Sequence, residues 1–233
     1  MSDALGISII IPTLNEAQGL GRVLEHLNTI RDKKFTKEII VVDGGSHDRT
    51  VEIASQHNCT IVRSKAGRAT QMNKGAEMAQ GDILYFLHAD TYPPKKFDHL
   101  ILKAVHDGFE AGCFRMRFDT KNPILRFFAW LSRVNHTLCR GGDQSLFITK
   151  TQFRNHHGFD EKYLIYEDSE FIQRIYKNLN FKVLPQNVIT SARKYRQKGW
   201  MKVQFHFGMI HLKNFMGAPP NELYSYYKKH LLN

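Results

Sequence analysis

The stretch Leu84-Tyr85-Phe86-Leu87-His88-Ala89-Asp90-Thr91, followed by Tyr92-Pro93-Pro94, joins an apolar run of strand length to a carboxylate and then to prolines. Such a run reads as a buried strand that delivers its last side chains to the rim of a sheet. In open α/β sheets ligands bind at that rim. Asp90 is therefore a candidate ligand for a divalent cation holding a diphosphate, or else a cap for a helix that starts near Pro94.

Upstream, the same pattern recurs. Ile7 to Ile11 is a β-branched run closed by Pro12, and Ala17 to Leu27 then places Leu20, Val23, Leu24 and Leu27 on one helical face. Ile39 to Val42 is a second buried strand ending in Asp43-Gly44-Gly45-Ser46, with Ser46 or Asp48 able to cap a helix running to about His57. Thr60 to Val62 reads as a strand, Gly67 to Ala79 as a helix and Ile83 to Leu87 as the next strand. Strand-to-helix units with short loops imply a mostly parallel sheet covered on both faces, because parallel strands need crossover helices.

Downstream, the alternation is less regular. A helix is expected over Pro94–His106, a strand over Cys113–Phe118, a helix over Asn122–Cys139, a strand over Gln144–Thr149, a helix over Asp168–Leu179 and a strand over Phe181–Leu184. The aromatic, basic chain from Trp200 reads as two helices around Gly217-Ala218-Pro219-Pro220. The expected fold is one α/β domain over residues 1–190 with a C-terminal helical extension over 191–233.

Composition narrows the partners. Lys and Arg number 33 against 22 Asp and Glu, a formal charge of +11, which favours anions: nucleotide diphosphates, lipid head groups or nucleic acid. No aromatic nucleic-acid motif appears, and strands here end in acids, so nucleic acid is not the expected partner. Cys59, Cys113 and Cys139 show no CxxC spacing and read as reduced thiols. No export signal or membrane-spanning run is visible, so the expected place is the cytoplasm, with peripheral contact to the inner membrane face left open.

Four polar clusters fall at strand ends: Thr13-Leu14-Asn15-Glu16, Asp43-Gly44-Gly45-Ser46, His88-Ala89-Asp90 and Gly141-Gly142-Asp143-Gln144. Asp43 and Glu16 suit a base or ribose, whereas a diphosphate needs a cation because its charge is costly to bury unpaired. Taken singly, Asn15, Glu16, Asp43 and Ser46 also suit ordinary turn and capping roles. Arg68 follows Gly67 at a helix start, a place that favours phosphate. The loop is neither a Walker loop nor a GxGxxG fingerprint, which removes the main support for a kinase or a dehydrogenase. Glu167 and Asp168 open a helix as adjacent acids; they suit its N-terminus, or one of them serves as a general base.

The segments SIIIPTLNE (8–16), EIIVVDGGSHDRT (38–50), GRATQMNKGAEMAQGDILYFLHADT (67–91), GGDQSLFI (141–148) and YEDSEF (166–171), in this order, resemble glycosyltransferase family 2 and its GT-A, Rossmann-like fold. Together with Thr190-Ser191-Ala192-Arg193 they are similar to a bacterial subgroup labelled selenodomain-associated transferase-like. The resemblance implies a nucleotide-diphosphate sugar donor, with Pro12, Thr13, Asn15, Glu16 and Asp43 around the nucleoside and Arg68 and Asn73 near the donor. It implies Asp90 as the ligand of Mg²⁺ or Mn²⁺ and Asp168 as the base in an inverting transfer to an acceptor hydroxyl. Asp143 and Gln144 would then orient acceptor or donor sugar. His88 stands where the family's DxD motif has its first Asp; there it would contact ribose or sugar of the donor, and the replacement also motivates an alternative: a non-catalytic protein that binds a nucleotide sugar or glycan. The acceptor, whether lipid, glycan or small molecule, is not encoded in these motifs, and the aromatic, basic stretches 122–140 and 193–227 suit an acceptor surface or membrane-interface patch.

Overall fold

A computed structural model describes residues 5–140 and 144–232. Eight strands, β1 (Ile7–Thr13), β2 (Thr36–Asp43), β3 (Thr60–Arg63), β4 (Ile83–Phe86), β5 (Thr91–Tyr92), β6 (Ala111–Phe118), β7 (Leu146–Thr149) and β8 (Phe181–Thr190), form one sheet in the order β3-β2-β1-β4-β7-β6-β8-β5. The ladders β1/β2, β2/β3, β1/β4 and β6/β8 are parallel, and β4/β7, β6/β7 and β5/β8 are antiparallel. The sheet is thus mostly parallel, as expected, with β7 and the short edge strand β5 running against the rest.

Both faces of the sheet are buried, which is why its strands read as continuous apolar runs. Ile7, Ile9 and Ile11 pack with Ile39, Val41 and Tyr85 on one face, under α1 (Ala17–Ile30) and α4 (Phe97–His106). Ile10, Ile40, Val42, Leu84 and Phe86 face the other way, under α3 (Arg68–Met78) and α7 (Glu167–Tyr176). Helix α3 lies close on β1: a Cβ on Gly75 would sit 2.5 Å from Ile10 Cγ2. Two short helices, α2 (Thr50–Ser55) and α6 (Lys150–Asn155), complete the connections in this part of the chain.

Several boundaries differ from expectation. Helix α5 (Pro123–Leu131) stops well before Cys139, because the buried Arg140 draws the following segment around itself: its guanidinium donates to the carbonyls of Ser132 and Val134. Strand β8 runs six residues beyond the expected end, through Pro185. The β6/β8 register jumps from Phe114↔Leu184 to Arg115↔Asn187, so Pro185 and Gln186 form a bulge in which proline's missing N–H costs no ladder bond. Asp48 accepts from the Thr50 backbone N–H at the start of α2, but Ser46 does not cap that helix and turns to Asp43 instead. After Thr190 the chain is helical: α8 (Arg193–Lys198), α9 (Trp200–Phe215) and α10 (Pro220–Tyr227).

Candidate active site

Strand directions bring the quoted clusters to one rim. The C-terminal ends of β1, β2 and β4 are aligned by their parallel pairing, and antiparallel β7 starts at that same edge, with Leu146 opposite Phe86. Strand β8 ends there too, where Thr190 pairs with Thr91 just after Asp90.

The β1 and β2 ends are wired mostly to each other. Asp43 is buried; its carboxylate accepts from the Gly45 N–H at 3.0 Å, the Ser46 N–H at 3.1 Å and the Ser46 hydroxyl at 2.5 Å. Asn15, in the left-handed region at φ 56°, accepts from His47 N–H through Oδ1, and its own N–H donates to Ser46 Oγ. Thr13 is buried and donates to the Val42 carbonyl. Asp43 and Ser46 therefore build the turn, as their residue types allow, and the Pro12–Glu16 segment is tied to it. Sequence reasoning passed over Gln71, whose buried amide donates to both Thr13 and Val42 carbonyls at 2.8 and 2.7 Å. Its place on the inward face of α3, one residue before buried Met72, was the available signal.

Asp90 does not cap α4, whose N-cap is Lys96 with no side-chain capping bond. It lies instead at the rim near Arg193, whose guanidinium is held charged first by the hydrogen bond it donates to Glu16 and further by the Asp90 carboxylate. Arg193 Nη2 lies 2.8 Å from Glu16 Oε2, so the chain after β8 closes onto the end of β1. Arg193 lies within the family-like Thr190–Arg193 segment, but its pairing with a residue 177 positions away has no sequence signal.

The densest charge cluster is at the start of α7. Arg68 Nη1 lies 3.1 Å from Glu167 Oε1 and 3.7 Å from Asp168 Oδ2, and His88 Nε2 lies 3.6 Å from Asp168 Oδ2. Both acids are buried, while the Arg68 side chain is 49% exposed and reaches them from α3. Burial pushes the Glu167 carboxyl above its ordinary range, and Asp168 beside it adds to that against the pull of Arg68. Burial pushes Asp168 up as well, but His88, Arg68 and a hydrogen bond from Glu167 outweigh it and hold Asp168 below its ordinary range. Two adjacent carboxyls with divergent affinities for one proton are the arrangement expected of an acid and base pair. Tyr166, the α7 N-cap at φ 72°, sets this corner, and its hydroxyl contacts His211 Nδ1 of α9 at 3.0 Å.

Two predicted residues are committed elsewhere. Asn73 accepts from the Phe159 N–H and donates to the Phe159 carbonyl and Glu161, so it clamps the loop before α7. Gln144 is buried, accepting from Arg140 and Cys113 and donating to the Cys139 carbonyl. Burial pushes the Cys113 thiol up to about 11. Asp143 lies outside the described residues.

The profile of the family described as Glycosyl transferase family 2 matches residues 8–158, from β1 to the loop before α7. This chain belongs to glycosyl transferase family 2. Glycosyltransferase AglE of Haloferax volcanii is 34% identical over 98 residues, 39% of this chain and 32% of that protein. The probable glycosyltransferase YdaM of Bacillus subtilis is 26% identical over 208 residues, 78% of this chain and 49% of that one. The chain thus spans a third to a half of the length of these relatives. The fold is shared with the mannosyltransferase PcManGT of Pyrobaculum calidifontis in complex with GDP-Man and Mn²⁺, at TM-score 0.71, 18% identity and coverage of 99% of this chain and 69% of that one. It is shared also with S. aureus TarS 1-349 in complex with UDP-GlcNAc, at TM-score 0.66, 18% identity and coverage of 80% and 58%.

Whether a divalent cation fits can be judged from the donor set. Among the described residues no group of three or more His, Cys, Asp or Glu is placed to hold an ion. A single carboxylate such as that of Asp90 suits an ion of the Mg²⁺ or Mn²⁺ type, which is commonly held by one or two carboxylates together with substrate phosphates.

Proposed function

We propose that this chain transfers a sugar from a nucleotide-diphosphate sugar to an acceptor hydroxyl, with inversion at the sugar's anomeric carbon. The reading is carried by the buried pair at the start of α7, in which His88 and Arg68 favour the ionised form of Asp168 while Glu167 beside it is driven toward its protonated form. Asp168 takes the proton from the acceptor hydroxyl as that oxygen attacks the sugar carbon. Glu167 and Arg68 set the charge around the base. The rim segment Pro12–Glu16 with Asp43 and Ser46 takes the nucleoside side, and Asp90 holds Mn²⁺ or Mg²⁺. When bound, that cation supplies charge stabilisation for the departing nucleotide diphosphate. His88, which occupies the first acidic position of the family motif, is assigned here to Asp168 and not to the cation.

Support comes from family membership, from the fold shared with structures that hold nucleotide sugars, and from the convergence of these residues at one rim. Three cysteines without disulfides and the absence, among the described residues, of a helix able to cross a membrane agree with a cytoplasmic setting. Thermal melting with a panel of nucleotide sugars, with and without Mn²⁺, tests the reading, followed by assay of the stabilising donor for release of nucleotide diphosphate. A donor that stabilises the fold in a metal-dependent way and is turned over supports it. Stabilisation without turnover with any acceptor supports the binding-protein alternative instead.

A further inference from the structure

Helix α9 is apolar on two opposite faces. At about 100° per residue, Val203, Phe207 and Ile210 point to one side, where they pack with Leu223, Tyr163 and Tyr166. Met201, Phe205, Leu212, Phe215 and Met216 fall within an arc of about 100° on the other side. Those five are exposed by 48% to 86%, more than solvent contact alone explains for consecutive turns of one helix. Helix α5 repeats the pattern: Leu125 and Ala129 are buried, while Phe127 and Trp130 are more than half exposed and stack on each other at 6.3 Å. The two helices are neighbours, because Leu125 and Ala129 share an apolar cluster with Ala192, against which Tyr195 and Trp200 pack.

Charge distinguishes the possible occupants of these faces. Residues 120–142 and 191–221, which contain both helices, hold ten of the 33 Lys and Arg residues and none of the 22 Asp and Glu. The remaining 179 residues therefore balance at 23 against 22, and ten of the eleven net positive charges belong to these two stretches. Of these ten, Arg140 is buried and Arg193, Arg196 and Lys213 pair with Glu16, Asp119 and Glu222, but Lys121, Arg126, Arg133 and Lys202 are exposed, so a second copy of the chain would bring like charges together and be repelled. A membrane-spanning role fails on length and polarity, since no described helix can cross a bilayer. Aromatic and aliphatic side chains on one helical face, bordered by cations such as Lys202, Arg126 and Arg133, suit the boundary between anionic head groups and acyl chains.

We propose that α5 and α9 dock this protein on an anionic lipid surface, with Phe127, Trp130, Phe205 and Phe215 entering the head-group boundary. The test is cosedimentation of the full chain with vesicles of phosphatidylcholine alone or with about 30% phosphatidylglycerol, read together with tryptophan emission. Expected are binding to the anionic vesicles only, a blue shift reporting Trp130, and partial weakening by salt. Phe205→Ser/Phe215→Ser should weaken binding at least about tenfold without lowering the melting temperature. Arg126→Glu/Lys202→Glu, which keeps the apolar faces, should weaken it as well. The proposal is overturned by failure to sediment with anionic vesicles at low salt, or by binding that the Phe substitutions leave unchanged. A concentration-dependent dimer that the same Phe substitutions dissolve, with no vesicle binding, would assign the faces to a second copy and also overturn it.

Discussion

Asp43 and Asp168 are both buried carboxylates at one rim of one sheet, yet their charges are compensated in opposite ways. Asp43 is satisfied by its own turn: every hydrogen bond it accepts comes from a residue within three positions. Asp168 relies on His88 and Arg68, 80 and 100 positions away, which the β4 end and α3 bring to it. A locally wired acid folds its own turn and offers a ligand only the acceptor positions that the turn leaves over. A remotely wired acid has its charge compensated only once the chain has folded, which suits the role of base proposed above.

The contrast can be attacked from both sides. Asp90→Ala should lower transfer at least about a hundredfold by removing the proposed cation ligand, and should abolish any metal-dependent melting shift by nucleotide. Asp43→Ala should act the other way, lowering stability by about 2–3 kcal/mol in urea denaturation because Gly45 N–H and Ser46 lose their acceptor. If Asp43→Ala left stability unchanged, the local side of the comparison would fail. Gly75→Ala should cost about 1–3 kcal/mol in the same measurement, since the new methyl meets Ile10 and must push α3, with Arg68 at its head, away from β1.

The smallest effect concerns a remote pairing at the surface. Burial pushes Asp119 up, but Arg196 and the Ala192 N–H hold its carboxyl below the ordinary value near 3.8. Its contribution to anchoring α8 is therefore complete above that value and lost as pH falls through the lowered one. Acid titration of the wild-type chain should show a shift in Trp200 emission below pH 4 that Asp119→Asn removes.

The same distinction explains what could be seen in the sequence. Strands β1, β2 and β4 and helix α1 were legible because apolar runs and a 3.6-residue period are local patterns. The Asp43 turn was legible for the same reason: Asp-Gly-Gly-Ser carries its own hydrogen-bond logic. The early end of α5 was not, because it depends on Arg140, a charged residue whose burial among the Ser132 and Val134 carbonyls no local pattern announces. Nor was the extension of β8 past Pro185, since a bulge is defined by the partner strand. At the rim, Asp90 stands out locally as the acid closing an apolar run and Asp168 as one of two adjacent acids opening a helix, with the family resemblance adding their expected roles, whereas Gln71, Arg193 and Tyr166 have roles that arise only when distant segments meet.

The account stands most directly on one comparison of rates: Asp168→Asn against Glu167→Gln, assayed with a nucleotide-sugar donor that the wild-type chain turns over, with nucleotide affinity measured on both. With Asp168 in the proposed role of base, Asp168→Asn should lose about two to four orders of magnitude in rate at unchanged nucleotide affinity, while Glu167→Gln, at a carboxyl that burial pushes toward its protonated form, should keep most of it. Equal losses in the two variants, or an active Asp168→Asn, would contradict it.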